Sequence, residues 1–214
     1  MGGNKMKFTK IFFTAAMAFA FAGSQTATAS TQAGSAQAVL AEVTRVASAV
    51  RVLESGLVAQ NLIKWKVGEF HNNEVKLALP FPGSGHKSVT EDVPARNAFW
   101  YVNEMTILGQ KQKTEALMDR SNGQTLELIV NGKKEPVDND SQLEIVDQYE
   151  TEVTVPAGTF DCMYIKAKVT AQGKTQELEA WINPIDVNLD GMLKVVVQSQ
   201  MGPVQLLLKD FGAK

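Results

Sequence analysis

The chain has 214 residues, 44% of them hydrophobic, with 21 basic against 23 acidic residues and a single cysteine. A balance on the acidic side of neutral excludes nucleic acid as a partner, because phosphate binding needs clustered Lys and Arg. One cysteine excludes an internal disulfide, so stability has to come from a packed core.

The chain opens with Lys5, Lys7 and Lys10, an apolar run from Ile11 to Ala22, and Ala27-Thr28-Ala29. A basic start, a short apolar core and small residues at its end are the parts of a secretory signal peptide. The run is shorter than the roughly twenty residues a membrane-spanning helix needs. No later run reaches that length, and no cysteine stands at the cleavage site to carry a lipid. Residues 1–29 therefore read as a cleaved leader, and the mature chain as periplasmic or secreted with no stable membrane span. Cleavage takes three lysines and no acid from the 21 and 23, leaving 18 basic and 23 acidic residues, net −5. Residues 30–37 read as a flexible lead and 38–214 as a single β-rich domain.

Val39, Val43, Val46, Val50 and Leu53 recur at spacings of four and three. That period places them on one stripe of a helix packed against a sheet, with Gly56 as its stop. From Leu62 the period becomes two. Ile63, Trp65 and Val67 predict one half-buried strand, and Val75, Leu77 and Leu79 another. Pro80 to Gly85 reads as a turn or loop, its prolines and glycines being unsuited to a strand interior. A strand follows from Lys87 to Val93. From Ala98 to Leu108, Phe99, Tyr101, Met105 and Ile107 point one way and Trp100, Val102 and Leu108 the other, which predicts a strand covered on both faces. Lys111 to Met118 is polar enough to read as exposed or as an edge. Asn122-Gly123 marks a tight turn, and Asn131-Gly132 a two-residue hairpin whose central residues need positive φ. Pro136 to Ser141 is a polar break.

The remainder reads as a meander organised on Val155-Pro156-Ala157-Gly158-Thr159-Phe160-Asp161-Cys162. Proline presets φ for the turn, and Gly158 supplies the positive φ that lets the next strand leave in register. Tyr149, Val153 and Val155 form one face before the turn; Met163, Ile165, Ala167 and Val169 form one face after it, and Phe160, Cys162 and Tyr164 the other. Leu178 to Ile182, Leu193 to Val197 and Val204 to Leu208 supply three more strands. The fold class is mainly β: a curled antiparallel meander or half-barrel of nine to eleven strands with one N-terminal amphipathic helix packed on it.

Little chemistry stands out. Asp186-Val187-Asn188-Leu189-Asp190-Gly191 matches the first half of a calcium loop, with candidate ligands Asp186, Asn188 and Asp190. Val197 occupies the twelfth position, where a bidentate glutamate is needed, so no metal is expected. Cys162 sits in an apolar strand where a thiol is inert. The two histidines, His71 and His86, lie beside loop segments without a zinc-ligand spacing. Neither a nucleophile elbow nor a phosphate-cradling loop is present. The chain thus reads as non-enzymatic, with no cofactor. Its aromatics are the remaining candidates: Trp65, Phe99, Tyr101, Met105, Phe160 and Tyr164 form a set able to line an apolar pocket.

Three stretches carry a resemblance. Trp65-Lys66-Val67-Gly68-Glu69, the P-A-G-x-F-x-C motif at Pro156 to Cys162, and Trp181 followed by Asp186 to Lys194 resemble uncharacterised bacterial periplasmic proteins. In outline the chain resembles the periplasmic lipoprotein-carrier (LolA-like) half-barrels to which such proteins are related. In those relatives the last stretch reads V-P-x-G-G, so Asn188 and Asp190 stand where they have proline and glycine. The resemblance implies a periplasmic half-barrel whose partner is a lipid or lipoprotein acyl chain held on the curved sheet. The alternative is an envelope structural or protein-interaction module with a filled core.

Overall fold

The computed structural model describes residues 13–14, 46–58, 65–78, 82–107, 109–137, 141–171, 174–199 and 202–214. The cleavage site, the lead at 30–37, and Val39, Val43, Ile63, Leu79 and Leu108 lie outside the described residues. One helix, α1 (residues 46–58), precedes the main sheet. The strands are β1 (Phe13–Thr14), β2 (Glu69–Lys76), β3 (Pro82–Val93), β4 (Ala98–Ile107), β5 (Gln110–Asp119), β6 (Thr125–Val130), β7 (Lys133–Glu135), β8 (Gln142–Val155), β9 (Gly158–Ala171), β10 (Lys174–Ile182), β11 (Met192–Ser199) and β12 (Gly202–Ala213). They form one sheet in the order β1-β8-β9-β10-β11-β12-β2-β3-β4-β5-β6-β7. Every pairing is antiparallel. The ends of that order do not pair, so the sheet stays open rather than closing into a barrel. The expected class holds among the described residues: mainly β, antiparallel, eleven strands from Glu69 onward and one α-helix.

Alternation places Val75, Val89, Tyr101, Met105, Ala167, Val169, Leu178, Ala180, Val195, Val197, Val204 and Leu206 in one buried cluster with Val46, Val50, Leu53 and Leu57 of α1. The helix is not the half-wet element its stripe predicts. Every residue from Ala49 to Val58, Arg51 and Glu54 included, is buried. Nor does Gly56 stop it. A Cβ there would come within 2.8 Å of Leu143 Cδ2, so glycine is what lets β8 approach the last described turn of the helix.

Other expectations change for similar reasons. Trp65 to Gly68 is a coil and turn, not a strand; Gly68 has φ +90. Pro82 to Gly85 opens β3 instead of looping. Pro82 is its first residue, where a missing N–H is tolerated, and Gly83 is pressed so close to Val75 that a Cβ would come within 2.9 Å. Gln110 to Asp119 is an interior strand between β4 and β6, with Ala116, Leu117 and Met118 buried. Its polar residues mislead because Gln112 and Thr114 are buried too.

Bulges let strands serve two clusters. The register between β10 and β11 slips at Trp181/Ile182, which leaves Leu193 unpaired and sends it to a second cluster with Val153, Val155, Cys162, Val187, Leu207 and Leu208. The β8–β9 tip reaches this cluster directly, Ala157 donating its N–H to Leu208 O at 3.0 Å. Asn131-Gly132 forms the expected hairpin, with φ 50 and 79.

Gly158 has the positive φ its turn requires, +141, but an added Cβ would meet nothing closer than the Phe160 ring at 3.5 Å. Gly123, at φ +68, faces Ser55 O at 2.7 Å and Val58 Cβ at 2.9 Å. Both positions carry backbone strain of about 1–3 kcal/mol for any other residue, and Gly123 adds a collision with α1. Denaturant midpoints should fall further in Gly123→Ala than in Gly158→Ala; the reverse order would mean that the turn, and not helix docking, limits stability.

Candidate functional site at the helix–sheet seam

The apolar seam between α1 and the sheet is interrupted by charge. Glu54 projects from α1 at a position four after Val50 and four before Val58, on the apolar stripe itself. Lys87 shares a face of β3 with Val89, and His71 shares one of β2 with Val75. Asp190 comes from the loop between β10 and β11. Glu54, Lys87, His71 and Asp190 are all nearly inaccessible, at 1%, 3%, 0% and 0% exposed.

The Lys87 ammonium donates to Glu54 Oε1 at 2.6 Å and to Asp190 Oδ2 at 2.8 Å. Tyr101, on β4, donates its hydroxyl to the same Glu54 oxygen at 3.0 Å. His71 Nε2 donates to the backbone oxygen of Asn188 at 2.8 Å. Its Nδ1 lies 3.1 Å from Asp190 Oδ1, close enough for an ion pair but out of line for a hydrogen bond. Arg51, one helical turn before Glu54, attracts both Glu54 and Tyr101.

The loop that delivers Asp190 is itself tied down. Asn183 Oδ1 accepts from the N–H groups of Ile185 and Asp186, while its amide donates to Asp186 Oδ2 and to Asp161 O. Glu69 Oε2 accepts from Lys66 N at 3.0 Å and Leu189 N at 3.3 Å, joining the loop to the turn before β2. Leu189 is buried at φ 58, a left-handed conformation costly for a branched side chain, and the next residue is Asp190. The strain is spent on turning that carboxylate inward, where Met192 N caps Oδ1 at 2.9 Å.

Two carboxylates share one ammonium, and they do not share it equally. Burial disfavours charge on Asp190, but Lys87 and His71 outweigh it and hold that carboxyl well below its ordinary range. For Glu54 burial is again the largest influence; Lys87 opposes it, Asp190 adds to it, and the carboxyl is raised to about 7. Lys87 loses to burial and gains more from Asp190 and Glu54, so its ammonium is held above its ordinary value. Burial, then Glu54, pushes the Tyr101 phenol well up. Glu54 is thus the member that gives up its charge first.

Of the six aromatic and methionine candidates, four come together. Trp65 stacks on Tyr101 at 5.3 Å between centroids and meets Phe99 edge-on at 6.3 Å; Met105 shares their cluster. Trp65 is 5% exposed, and its Nε1–H finds no acceptor among the described residues. Phe160 packs with the second cluster, and Tyr164 stacks on Tyr149 on the sheet's opposite face. Asp186, Asn188 and Asp190 do not converge: Asp186 is engaged by Asn183, the Asn188 amide donates to Gly212 O, and Asp190 faces the Lys87 ammonium. Asp190 is therefore no incidental departure from a turn motif. His71 and His86 lie within β2 and β3 and not beside loops. Cys162 is buried, which pushes its thiol up. Sequence reasoning missed Glu54, Lys87 and His71, although each is a charged or polar residue in phase with an apolar pattern.

Glu54 binds its proton more tightly in the fold than in the open chain. Its contribution is fully present below about 4.5 and is lost as pH rises to about 7. Asp190 has the opposite sign: its contribution is present above 3.8 and lost below it. The stability difference between wild type and Glu54→Gln should therefore shift against wild type by about 2 kcal/mol from pH 5 to pH 8. Paired urea melts across that range check this, and a difference that moves toward wild type would overturn the assignment.

Among the described residues no helix is long and apolar enough to cross a membrane. No family model matches the chain, and no curated protein does. Three solved structures are similar in outline. One is described as a lipoprotein of Parabacteroides distasonis, with 13% identity over 71% of this chain and 98% of that one and a TM-score of 0.40. Another is described as an exported protein with a YmcC-like fold from Bacteroides fragilis, with 10% identity over 70% and 98% and a TM-score of 0.38. The third is MucB, with 10% identity, a TM-score of 0.35, and coverage of 78% of this chain and 59% of MucB. Likenesses this slight assign no function to the chain.

Proposed function

We propose that the protein is an exported, non-enzymatic binding protein that shelters an apolar ligand, a lipid or acyl chain, against the sheet face that α1 covers. The helix is the resident occupant of that face and moves aside to admit the ligand. The observation that carries this is the tie of Glu54 to Lys87 in the middle of an otherwise apolar seam. A permanently filled core gains no stability from such a tie, because apolar pairs of similar volume pack at equal or greater stability, often by about 1–4 kcal/mol. A cover that must lift gains from it, since both groups become hydrated when they part.

Trp65, Phe99, Tyr101 and Met105 would line the vacated face, with Met105 adaptable to ligand shape. The unpartnered Trp65 Nε1–H offers a donor to a ligand carbonyl or carboxylate. Buried Lys87, His71 and Asp190 are closed to solutes while the helix is docked, which favours a binding role over turnover. Lys87 is joined to Tyr101 of the aromatic cluster through Glu54, which suits the polar end of an amphiphile.

The test is titration with a fluorescent fatty-acid analogue, read alongside Trp emission, together with native mass spectrometry of protein from its own host. Saturable binding should be accompanied by a change in Trp65 emission that is absent in Trp65→Phe, and Glu54→Leu, which replaces the releasable tie with apolar packing, should bind at least about tenfold more weakly. A clean apoprotein that ignores the analogue would leave the filled-core interaction module as the reading.

A further inference from the structure

We propose that the outer edge of β8 docks an extended, basic segment of a partner protein, which adds to the sheet as an antiparallel strand. The surface is separate from the helix seam. β8 runs from Gln142 to Val155 and pairs with β9 along one side. On its other side, among the described residues, only Phe13 and Thr14 pair with it, opposite Leu143 and Gln142. Beyond Leu143 its outward N–H and C=O groups have no ladder partner among the described residues.

The two ends of the sheet are treated differently. β7 is three residues long and carries Lys133 and Lys134, the short, lysine-bearing form that guards an edge. β8 is fourteen residues long and carries two of the most exposed large apolar side chains, Val146 at 48% and Tyr149 at 50%. Val146 stands in the bulge between Ile145 and Asp147. Tyr149 is propped against Tyr164, with centroids 4.6 Å apart.

Around these two residues the strand carries Glu144, Asp147, Glu150 and Glu152 and no basic residue. Glu144 and Asp147 lie opposite Lys168 and Lys166 of β9, the latter also paired with Glu177 at 3.7 Å. Glu150 and Glu152 lie opposite Met163 and Asp161, so the tip half of the edge has uncompensated negative charge. Like charge repels the same edge of a second copy. It attracts a cationic strand, with main-chain bonds for affinity and the exposed Val146 and Tyr149 for alternate apolar side chains. That β1 sits on this edge shows that it accepts an antiparallel strand. The leader that supplies β1 carries Lys5, Lys7 and Lys10, and its removal opens the occupied end.

The experiment uses the exported chain and a labelled short peptide alternating Lys and Val. Controls are the same peptide interrupted by two prolines and a Glu/Val counterpart. Anisotropy should show binding of the Lys/Val peptide alone, weakened at least about tenfold in the double variant Glu150→Lys, Glu152→Lys, and amide exchange along β8 should slow on binding. Both substitutions are at exposed positions, and a melt matching wild type confirms that the fold is kept. Equal binding of the proline-interrupted peptide would reduce the effect to bulk charge, and unchanged affinity in the double variant would remove β8 from it; either result overturns the proposal.

Discussion

The ammonium of Lys87 is the point on which helix and sheet agree. It is the one cation within hydrogen-bond distance of both Glu54 and Asp190 among the described residues, and those carboxylates come from elements that share no ladder. α1 precedes the first long strand, and the Asp190 loop joins two strands near the chain's end. Without a positive charge at that point, two buried carboxylates would face each other with only His71 and Arg51 to offset them, at a desolvation cost of several kcal/mol per ion. With it, the loop, the helix and three neighbouring strands are tied to one another at a single point. Apolar packing alone would tolerate small slides of the helix along the sheet; the charges define a register.

The same arrangement explains why the loop from Asn183 to Gly191 is so heavily bonded. A carboxylate that must arrive at a fixed place needs a rigid carrier, and here the carrier is built from side-chain bonds to backbone instead of ladder bonds. Leu189 shows what this entails. A leucine held at positive φ is tolerated because its side chain is buried in the main cluster while its own N–H is held by Glu69 and the Asn188 carbonyl before it by His71. The calcium-like spacing of Asp186, Asn188 and Asp190 is then a by-product: alternate polar residues along an irregular loop, each aimed at a different neighbour.

Much of the fold was legible because its signals are local. Asn131-Gly132 marks a hairpin through the φ values it permits, and the alternation of Ile165, Ala167 and Val169 marks a buried face whatever lies opposite. The errors fell where an outcome is decided by distant neighbours. Pro82 and Gly83 look like breakers until Val75 is seen to need the room. Thr114 looks like part of an edge until β6 pairs with it. Gly56 looks like a helix stop until Leu143 is brought against it. The site was less legible still, for the same reason. Glu54 and Lys87 are common surface residues, and only their phase against Val50 and Val89 betrays them. Their pairing joins positions thirty-three residues apart, and Asp190 lies a further hundred residues along, separations that no local pattern encodes.

The order of the sheet also sets when this molecule can exist. β2, the first described strand after the helix, lies between β3 and β12, the last of the described strands. Glu69 is matched with Ala213, so the seam between the two halves is closed by β12 residues far along the chain. Until they arrive, β2 has an open side, the helix lacks half of its enclosure, and Asp190 has no settled loop to deliver it. Non-local closure of this kind is slow, because the entropy of a long loop is lost before any contact compensates. The topology therefore keeps the first half of the sheet pliable until β12 joins it.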